Sequence, residues 1–557
     1  MVSTINTNLF RGIISSPCFA IAALLMVFSR TVLQSQSAPQ SVDNTGIYEF
    51  LDELASGHII AINQAVKPFN RDYIARKLEE ADLRREDLNR RQLGELDFYL
   101  ADFQKEMGNG ASVKGKAEWV TLGAALRGER RFDMFYYSDS LFSITVNPIA
   151  GGEMFYTGDG NATYWRNGVD VRAYLGDWAF FASLRDNHED PILGEAGYLA
   201  QRRGGHIKNG TDYSEMRGGI AYRWEWGDIG LKKDNFVWGT NYNGANIFGG
   251  RTPSFIYLNL HLTPTYWFEF NYIHGWLNSM VVDSARSFWV SNSYGDDYRE
   301  RYHKKYLAAN MFTFTPLDQL NISVGNSVVY DDASANPAYL FPLFFYKSVD
   351  HSMTSGIDNM NSQMFLDISS RQIKNLHLYA TLFIDELSVK RFGMDDQWNF
   401  LGWKAGGRLS NFPLENLSVT GEFTYSYPLT YQHYVPTTTF ESNNFNLGHY
   451  LTDNARELYI ALGYKPLRAM DISLYFIDAV RGPDYTELGT GRVGNPPLES
   501  VEWERRVVGM KARFQPYNDL YIWLGLEISD ISGDASLSPP CFYGDRNIFD
   551  IGVTFGF

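Results

Sequence analysis

The sequence predicts an antiparallel, all-β transmembrane barrel of roughly 16–18 strands, preceded by a small N-terminal α-helical module. Two observations carry most of this prediction. Apolar and polar residues alternate with a period of two along much of residues 113–557, which is typical of strands with one apolar and one polar face. Aromatic residues make up 15% of the chain, with 35 tyrosines and 38 phenylalanines, and membrane barrels concentrate such residues at both interfaces. A large soluble β-protein such as a propeller can share both features.

Residues 1–38 have the pattern of a signal peptide. Arg11 supplies a positive charge, and an apolar run follows from Pro17 to Phe28. This run of about a dozen residues is too short to cross a bilayer as a helix. Cys18 begins the run instead of following it, which argues against a lipoprotein. Since no later apolar stretch reaches 18 residues, a mature chain embedded in a membrane must cross it with strands.

Residues 44–108 have the period of helices and form the predicted module. Gly57 ends the first helix, and Asn70 suits the N-cap of a second helix after the break at Pro68. The apolar residues of the first and third helices are Ile47, Phe50, Leu51 and Leu54, and then Leu88, Leu96, Leu100 and Phe103. We expect a periplasmic cap or docking module. A loose resemblance to surface-layer-homology modules, which bind cell-wall polymers, offers an alternative.

From about residue 113 the period changes to that of strands. Residues 376–385, 417–426 and 521–529 each have one apolar face and one face of hydroxyls and carboxylates. Bulky aromatics extend the apolar face elsewhere, as Phe270 and Tyr272 do, which favours a lipid-facing wall over a soluble sandwich. Each strand with its connection needs about 25 residues, so the region 113–557 provides roughly 16–18 strands.

The alternation continues through Phe557. The apolar face of this predicted strand carries Phe549, Ile551, Val553, Phe555 and Phe557. Such an edge promotes aggregation in a soluble protein, whereas a closed barrel pairs its last strand with its first. A strand ending in Phe also resembles the recognition signal of bacterial outer-membrane barrels. We therefore expect the barrel in the outer membrane of a Gram-negative bacterium, with the helical module in the periplasm.

Composition and spacing argue against several classes of function. A formal net charge of −15 lacks the basic footprint of a nucleic-acid-binding protein. Cys18 and Cys541 are the only cysteines, which excludes a Cys-based zinc cluster. Asp385 and Glu386 point to opposite faces of a strand, so they cannot act as an acid/base pair. The spacing of the histidines marks no partner for a nucleophile. We expect no enzymatic activity, no metal and no cofactor.

Several segments, taken in order, resemble the Wzi-type capsule assembly family of outer-membrane barrels. They are residues 217–227, 233–239, 251–255, 267–277, 384–387 and 421–425, and residues 67–71 resemble the opening of Bacteroidetes members. The resemblance spans most of the mature chain. It implies a barrel of about 18 strands with a helical bundle on the periplasmic side, and a lectin-like role in retaining capsular polysaccharide. Residues 240–243 replace the usual Gly-rich continuation, which leaves the ligand specificity open.

Six residues are the candidate ligand-binding residues: Lys233, Asp234, Trp238, Asn246, Arg251 and Asp385. The face of Trp238 can stack on a sugar, and Lys233 and Asp234 can hydrogen-bond hydroxyls or uronic acids. Asn246 and Arg251 lie in a Gly-flanked loop, and Asp385 should face the lumen. In the structural alternative, Trp238 packs in a plug or loop, Lys233 and Asp234 form an ion pair, and Asp385 pairs with an arginine on a strand.

Three functions remain open from the sequence. The first is an outer-membrane lectin or capsule assembly accessory, which binds or anchors surface or capsular polysaccharide. The second is a diffusion channel for small solutes, and the third is a structural subunit of a larger outer-membrane complex. We expect outer-membrane lipid and a polysaccharide as partners, with other outer-membrane proteins under the third hypothesis, and no nucleic acid. A filled lumen together with a sugar-binding outer surface would favour the first of these functions.

Overall fold

The computed structural model describes residues 38–107, 116–119, 131–207, 210–293, 295–353, 357, 359–394, 396–485 and 494–557. Within these residues, eighteen long antiparallel strands close into a barrel. The predicted fold class is therefore confirmed, at the upper end of the predicted strand number. None of the described helices is both long and apolar enough to cross a bilayer. The predicted signal peptide lies outside the described residues, apart from Ala38.

The strands are numbered in chain order and differ widely in length. They are β1 (Val66–Lys67), β2 (Lys116–Trp119), β3 (Phe135–Ser138), β4 (Phe142–Tyr156), β5 (Asn161–Leu175), β6 (Trp178–Asp190), β7 (Asp212–Trp224), β8 (Gly227–Asp234), β9 (Val237–Trp238), β10 (Phe255–Thr265), β11 (Phe268–Val282), β12 (Phe288–Asn292), β13 (Gly295–Arg299), β14 (Tyr302–Leu317), β15 (Leu320–Tyr330), β16 (Met360–Ile373), β17 (Leu376–Glu386), β18 (Phe400–Ser410), β19 (Leu417–Ser426), β20 (Glu441–Ser442), β21 (Phe445–Asn446), β22 (Ala455–Leu467), β23 (Met470–Arg481), β24 (Trp503–Tyr517), β25 (Leu520–Gly533) and β26 (Gly544–Phe555).

The long strands close the wall in chain order. The ring comprises β4–β8, β10, β11, β14–β19 and β22–β26, and it closes where β26 pairs with β4. The short strands β2 and β3 extend the sheet beside the other half of β4. Because the last strand pairs with the first long one, the wall has no free apolar edge there.

The two ends of the barrel differ in the length of their connections. At the short-turn end, two-residue turns such as 176–177, 318–319 and 468–469 join neighbouring strands. At the long-loop end, the connections include 235–254 and 427–454. Outer-membrane barrels have this asymmetry.

The predicted alternation is confirmed along the wall. On β25, the outward-facing Ile522, Leu524, Leu526 and Ile528 are between 40% and 68% exposed, whereas Tyr521 is 4% exposed and faces the lumen. The prediction that Phe557 lies on the outward face of the last strand is wrong. The backbone at Gly556 has a φ of +78°, and the ring of Phe557 turns inward to lie 5.6 Å from that of Tyr521. Phe557 therefore leaves the outward row.

Four α-helices lie among the described residues: α1 (Thr45–Ser56), α2 (Arg71–Asp82), α3 (Arg90–Asp102) and α4 (Tyr346–Met353). Short 3-10 turns span Arg85–Asp87, Pro337–Leu340, Val389–Arg391, Pro436–Thr438 and Ala535–Leu537. The first three helices are the predicted ones, and they share a core that includes Phe50, Leu78 and Leu96. Asn70 occupies the predicted N-cap position, but its side chain donates to Asp228 of β8 instead of capping α2.

Phe270 and Tyr272 point outward as predicted, but they are not exposed to the surroundings. Their exposed fractions are 1% and 2%. The hydroxyl of Tyr272 donates a hydrogen bond to Tyr339 O at 2.9 Å, and Tyr339 belongs to the connection between β15 and β16, which also contains α4. This connection therefore lies against the outside of the wall.

Candidate functional site

The helical module occupies the lumen at the short-turn end. Glu49 of α1 accepts a hydrogen bond from Arg513 of β24 at 2.5 Å. Asn63 donates to Glu269 of β11 at 2.8 Å. In the ring of eighteen strands, β24 is the ninth strand from β11, so these two contacts lie on opposite sides of the wall. The module is thereby fixed across the full width of the barrel.

Asp52 of α1 is the centre of a buried ionic cluster. Its carboxylate accepts hydrogen bonds from Arg371 Nη2 at 2.6 Å, Tyr242 Oη at 2.8 Å and Gln64 Nε2 at 2.9 Å. Asp52 is 2% exposed and Arg371 is 1% exposed. Burial raises the pKa of Asp52, but the positive charges of Arg371 and its neighbours outweigh burial and hold that pKa well below its usual range. The cluster joins α1, the wall strand β16 and the loop after β8.

Asp43 anchors the segment before α1 through three arginines. Its Oδ2 lies 2.6 Å from Arg203 Nη1, 3.2 Å from Arg217 Nη1 and 3.9 Å from Arg185 Nη1. Burial raises the pKa of Asp43, and the three guanidinium groups together lower it further than burial raises it. Asp43 is therefore ionised at neutral pH and ties the module to β6, β7 and the loop between them.

The loop between β8 and β10, residues 235–254, turns into the lumen and meets the module. Its short strand β9 pairs with β1 of the module. Gly239 N donates to Ala65 O at 2.8 Å. The φ of Gly239 is +97°, in a region that favours glycine because a Cβ would be strained there. The loop and the module thus form one plug joined by backbone hydrogen bonds.

Trp238 lies in the core of this plug. It is 1% exposed, and its ring lies 5.2 Å from that of Phe248 and 6.2 Å from that of Phe365 on the wall. The loop between β19 and β22 adds Tyr431 and Phe440 to the same apolar cluster. This packing leaves no face of Trp238 for a sugar while the plug stays closed.

Lys233 and Asp234 lie on opposite faces of β8, so they do not form an ion pair with each other. Lys233 Nζ donates to Met216 O at 2.6 Å and to Ser254 Oγ at 2.7 Å. Asp234 Oδ1 accepts from Asn235 N at 2.8 Å and lies 3.9 Å from Arg217 Nε. Both side chains therefore make contacts within the barrel and its loops.

Asn246, Arg251 and Asp385 also make contacts within the chain. Asn246 is 0% exposed, and its side chain accepts from Thr381 Oγ1 at 2.5 Å. Arg251 donates to three backbone carbonyls of the loop after β6, and its guanidinium lies 5.1 Å from the ring centre of Phe445. Asp385 accepts from Gln363 Nε2 at 3.4 Å. A sugar-binding role for the six candidate residues stays a prediction.

A cavity of about 620 Å³ remains between the plug and the wall. Its plug side carries Tyr48, Glu49 and Asp52, and its wall side includes Arg408 and Trp523. Within the described part of the chain, no group of three or more His, Cys, Asp or Glu side chains is arranged to hold a metal ion. The cavity is polar, aromatic and mixed in charge, which suits water or a small polar solute.

An exposed aromatic pair lies at the other end of the barrel. The strands β12 and β13 form a hairpin within the connection between β11 and β14, and Trp289 pairs with Tyr298 across it. These side chains are 68% and 39% exposed, and their ring centres are 5.1 Å apart. Ser291 and Asp296 lie on the same face and share a hydrogen bond of 2.5 Å. The face therefore combines aromatic surface with a hydroxyl and a carboxylate.

The sequence did not single out the Asp43 and Asp52 anchors or the Trp289–Tyr298 pair. Asp52 and Arg371 are 319 residues apart, and no local pattern links them. The hairpin carried a usable signal, because an aromatic residue on each short strand flanks a polar turn.

The comparisons with known proteins agree with the observed architecture. No family model matches the sequence, and no curated protein matches it significantly. Among solved structures, the chain is similar to Wzi from Escherichia coli, with a TM-score of 0.57, 11% identity, and coverage of 94% of this chain and 100% of that chain. The chain has an outer-membrane β-barrel fold. Wzi is described as an outer membrane protein involved in group 1 capsule assembly and as a carbohydrate-binding β-barrel.

Two structures from Pseudomonas aeruginosa match less well. OccD3 gives a TM-score of 0.41 at 10% identity, with coverage of 80% of this chain and 94% of that chain. OprD gives a TM-score of 0.39 at 10% identity, with coverage of 74% and 94%.

Proposed function

We propose that this protein is a closed outer-membrane barrel that binds a surface polysaccharide at its long-loop end and helps to retain it there. The observation that carries the proposal is the exposed face of the β12–β13 hairpin, with Trp289 and Tyr298 beside Ser291 and Asp296. Aromatic rings offer an apolar face to the C–H groups of a sugar, while hydroxyl and carboxylate groups hydrogen-bond its hydroxyls. The fold shared with a carbohydrate-binding barrel supports the same function.

The lengths of the connections support one orientation of the barrel in the membrane. Outer-membrane barrels place short turns in the periplasm and long loops outside the cell. With that orientation, the helical module lies at the periplasmic end and the hairpin faces the exterior. A polysaccharide chain at the cell surface would then meet the hairpin without entering the lumen.

The plug supports a polymer-binding site on the outer surface of the barrel and not in its lumen. The module and the loop 235–254 are joined to each other and to opposite sides of the wall. The remaining cavity of about 620 Å³ holds a small solute but not a polysaccharide chain. We propose that Trp238 and the residues around it stabilise the closed plug and do not contact the polysaccharide.

A polysaccharide array tests this function. The purified protein in detergent is applied to immobilised bacterial capsular and O-antigen polysaccharides, as wild type, Trp289→Ala and Trp267→Ala. Trp267 is a matched control, because it is 46% exposed in a short turn at the opposite end. We expect Trp289→Ala to bind at least about tenfold more weakly, or about 1.4 kcal/mol, and Trp267→Ala to bind normally. Failure of the wild type to bind any polysaccharide would overturn the proposal.

The cavity favours one second candidate, a diffusion channel for small polar solutes. The mixed charges along it, including Glu49, Asp52 and Arg408, resemble a polar pore lining in composition. Planar-bilayer recordings separate the two functions. Steady single-channel conductance by the wild type would favour the channel, whereas a closed wild type combined with polysaccharide binding favours the lectin.

A further inference from the structure

A segment of the loop between β15 and β16 lies flat against the outside of the barrel wall. This segment, the wall strap, comprises residues 337–346. The hydroxyl of Tyr330 on β15 accepts from Asn336 N at 3.0 Å just before the strap. At the other end of the strap, Tyr346 is 0% exposed against the wall. The strap therefore has one side packed on the barrel.

Two asparagines on the outer face of the wall hold the strap by its backbone. Asn310 Nδ2 donates to Pro342 O at 2.9 Å and to Phe344 O at 3.0 Å. Asn326 Oδ1 accepts from Tyr346 N at 2.9 Å, and Asn326 Nδ2 donates to Asn310 Oδ1 at 2.7 Å. Asn310 and Asn326 are paired across β14 and β15, and both are buried.

These asparagines sit at the depth of the lipid hydrocarbon. Asn310 lies seven positions before Leu317, which ends β14. At about 3.3 Å per residue and a strand tilt of about 40°, Asn310 lies about 18 Å from the short-turn end, within an apolar band about 25 Å tall. Irregular backbone is tolerated at such depth only where its polar groups are satisfied by protein. The two asparagines do this for Pro342 O, Phe344 O and Tyr346 N.

The other side of the strap is apolar and open. Its exposed residues are Leu340 at 40%, Phe341 at 48%, Leu343 at 58%, Phe344 at 39% and Phe345 at 44%. Outward-facing wall residues beside it, such as Val324 at 43% and Phe314 at 38%, continue the same apolar surface. In water, a patch of this kind would promote association.

We infer that the wall strap lies within the outer leaflet and that its exposed side binds the acyl chains of outer-leaflet lipid. The anchored backbone and the continuity with the wall's apolar surface together identify this partner. The strap adds a ridge of aromatic and aliphatic side chains to one flank of the barrel.

Site-specific quenching in liposomes tests this inference. A bimane label is placed on Leu343→Cys in the full chain with Cys18→Ser and Cys541→Ser. Val324→Cys is the wall control, and Val389→Cys, which is 79% exposed in the loop between β17 and β18, is the aqueous control. We expect brominated lipid to quench Leu343→Cys as strongly as Val324→Cys, and aqueous iodide to quench only Val389→Cys. Quenching of Leu343→Cys by iodide as at Val389→Cys would overturn the inference.

Two further experiments test the anchoring of the wall strap and the identity of its partner. Asn310→Leu in the labelled protein removes two anchoring hydrogen bonds, so we expect lipid quenching at position 343 to fall while that at Val324→Cys is unchanged. Unchanged quenching at both positions would contradict the anchoring role. In native membranes, a benzophenone label on Leu343→Cys should crosslink to lipid. A crosslink to another protein would replace lipid with a protein partner and overturn the inference.

Discussion

Replacing Asp52 with alanine should release the plug from the wall. The substitution removes the acceptor for Arg371, Tyr242 and Gln64 and leaves the guanidinium of Arg371 buried without its carboxylate. Removing one partner of a buried ion pair costs about 3–5 kcal/mol. Because about 1.4 kcal/mol corresponds to a factor of ten, the population with an undocked α1 should rise by about a thousandfold.

Hydrogen exchange of the α1 backbone amides measures this population directly, because exchange of docked amides requires local opening. We expect the α1 amides of Asp52→Ala to exchange about a thousandfold faster than those of the wild type. Glu79→Ala is the matched control, since Glu79 is an exposed acid on α2 and its loss changes the net charge equally. The double variant Asp52→Ala with Arg371→Met removes both charges and should restore much of the protection. Wild-type exchange rates in Asp52→Ala, or equally fast exchange in Glu79→Ala, would refute the role of this cluster.

Two other contacts of the plug, at Glu49 and at Trp238, give further predictions. Acidification should loosen the plug: burial raises the pKa of Glu49, but Arg513 and Lys465 lower it from 4.5 to about 2. Because the pKa of Glu49 is lower in the docked state, its ionised form stabilises docking fully at pH values above about 4.5, and this stabilisation is lost as the pH falls from about 4.5 through about 2. Exchange of the α1 amides, corrected for its intrinsic pH dependence, should therefore accelerate in that pH range. No acceleration there would exclude this contribution. Trp238→Ala should lower the free energy of unfolding by about 3–5 kcal/mol because it empties a buried site, and polysaccharide binding by the folded variant should persist. Lost binding with unchanged stability would instead make Trp238 a ligand contact.

The barrel could be predicted because its signal is local and repeated. On a wall strand such as β25, the exposed Ile522, Leu524 and Leu526 alternate with lumen-facing residues. The helices of the module carried equally local signals in their apolar spacing and caps. Phe557 escaped prediction because a single positive φ at Gly556 redirects the chain after an otherwise regular strand.

The plug and the strap depend on contacts that the sequence does not bring together. Asp52 and Arg371 are 319 residues apart and come together only in the folded barrel, so neither residue looks unusual in its own segment. Trp238 was a candidate ligand contact because an aromatic face can stack on a sugar, and the alternative was packing in a plug or loop. The structure shows that packing, because the loop folds inward and buries the ring. Asn310 and Asn326 are visible in the sequence, since each interrupts an outward-facing apolar row. Such an interruption indicates that something covers the wall.

The central claim, a closed barrel that holds polysaccharide at its long-loop end, is tested most directly by co-flotation. Labelled polysaccharide, selected on the array, is mixed with liposomes containing the wild type, Trp289→Ala or Trp267→Ala, and the liposomes are floated on a density gradient. We expect polysaccharide to float with the wild type and Trp267→Ala and to remain at the bottom with Trp289→Ala. Equal flotation with all three proteins, or none with the wild type, would contradict the claim.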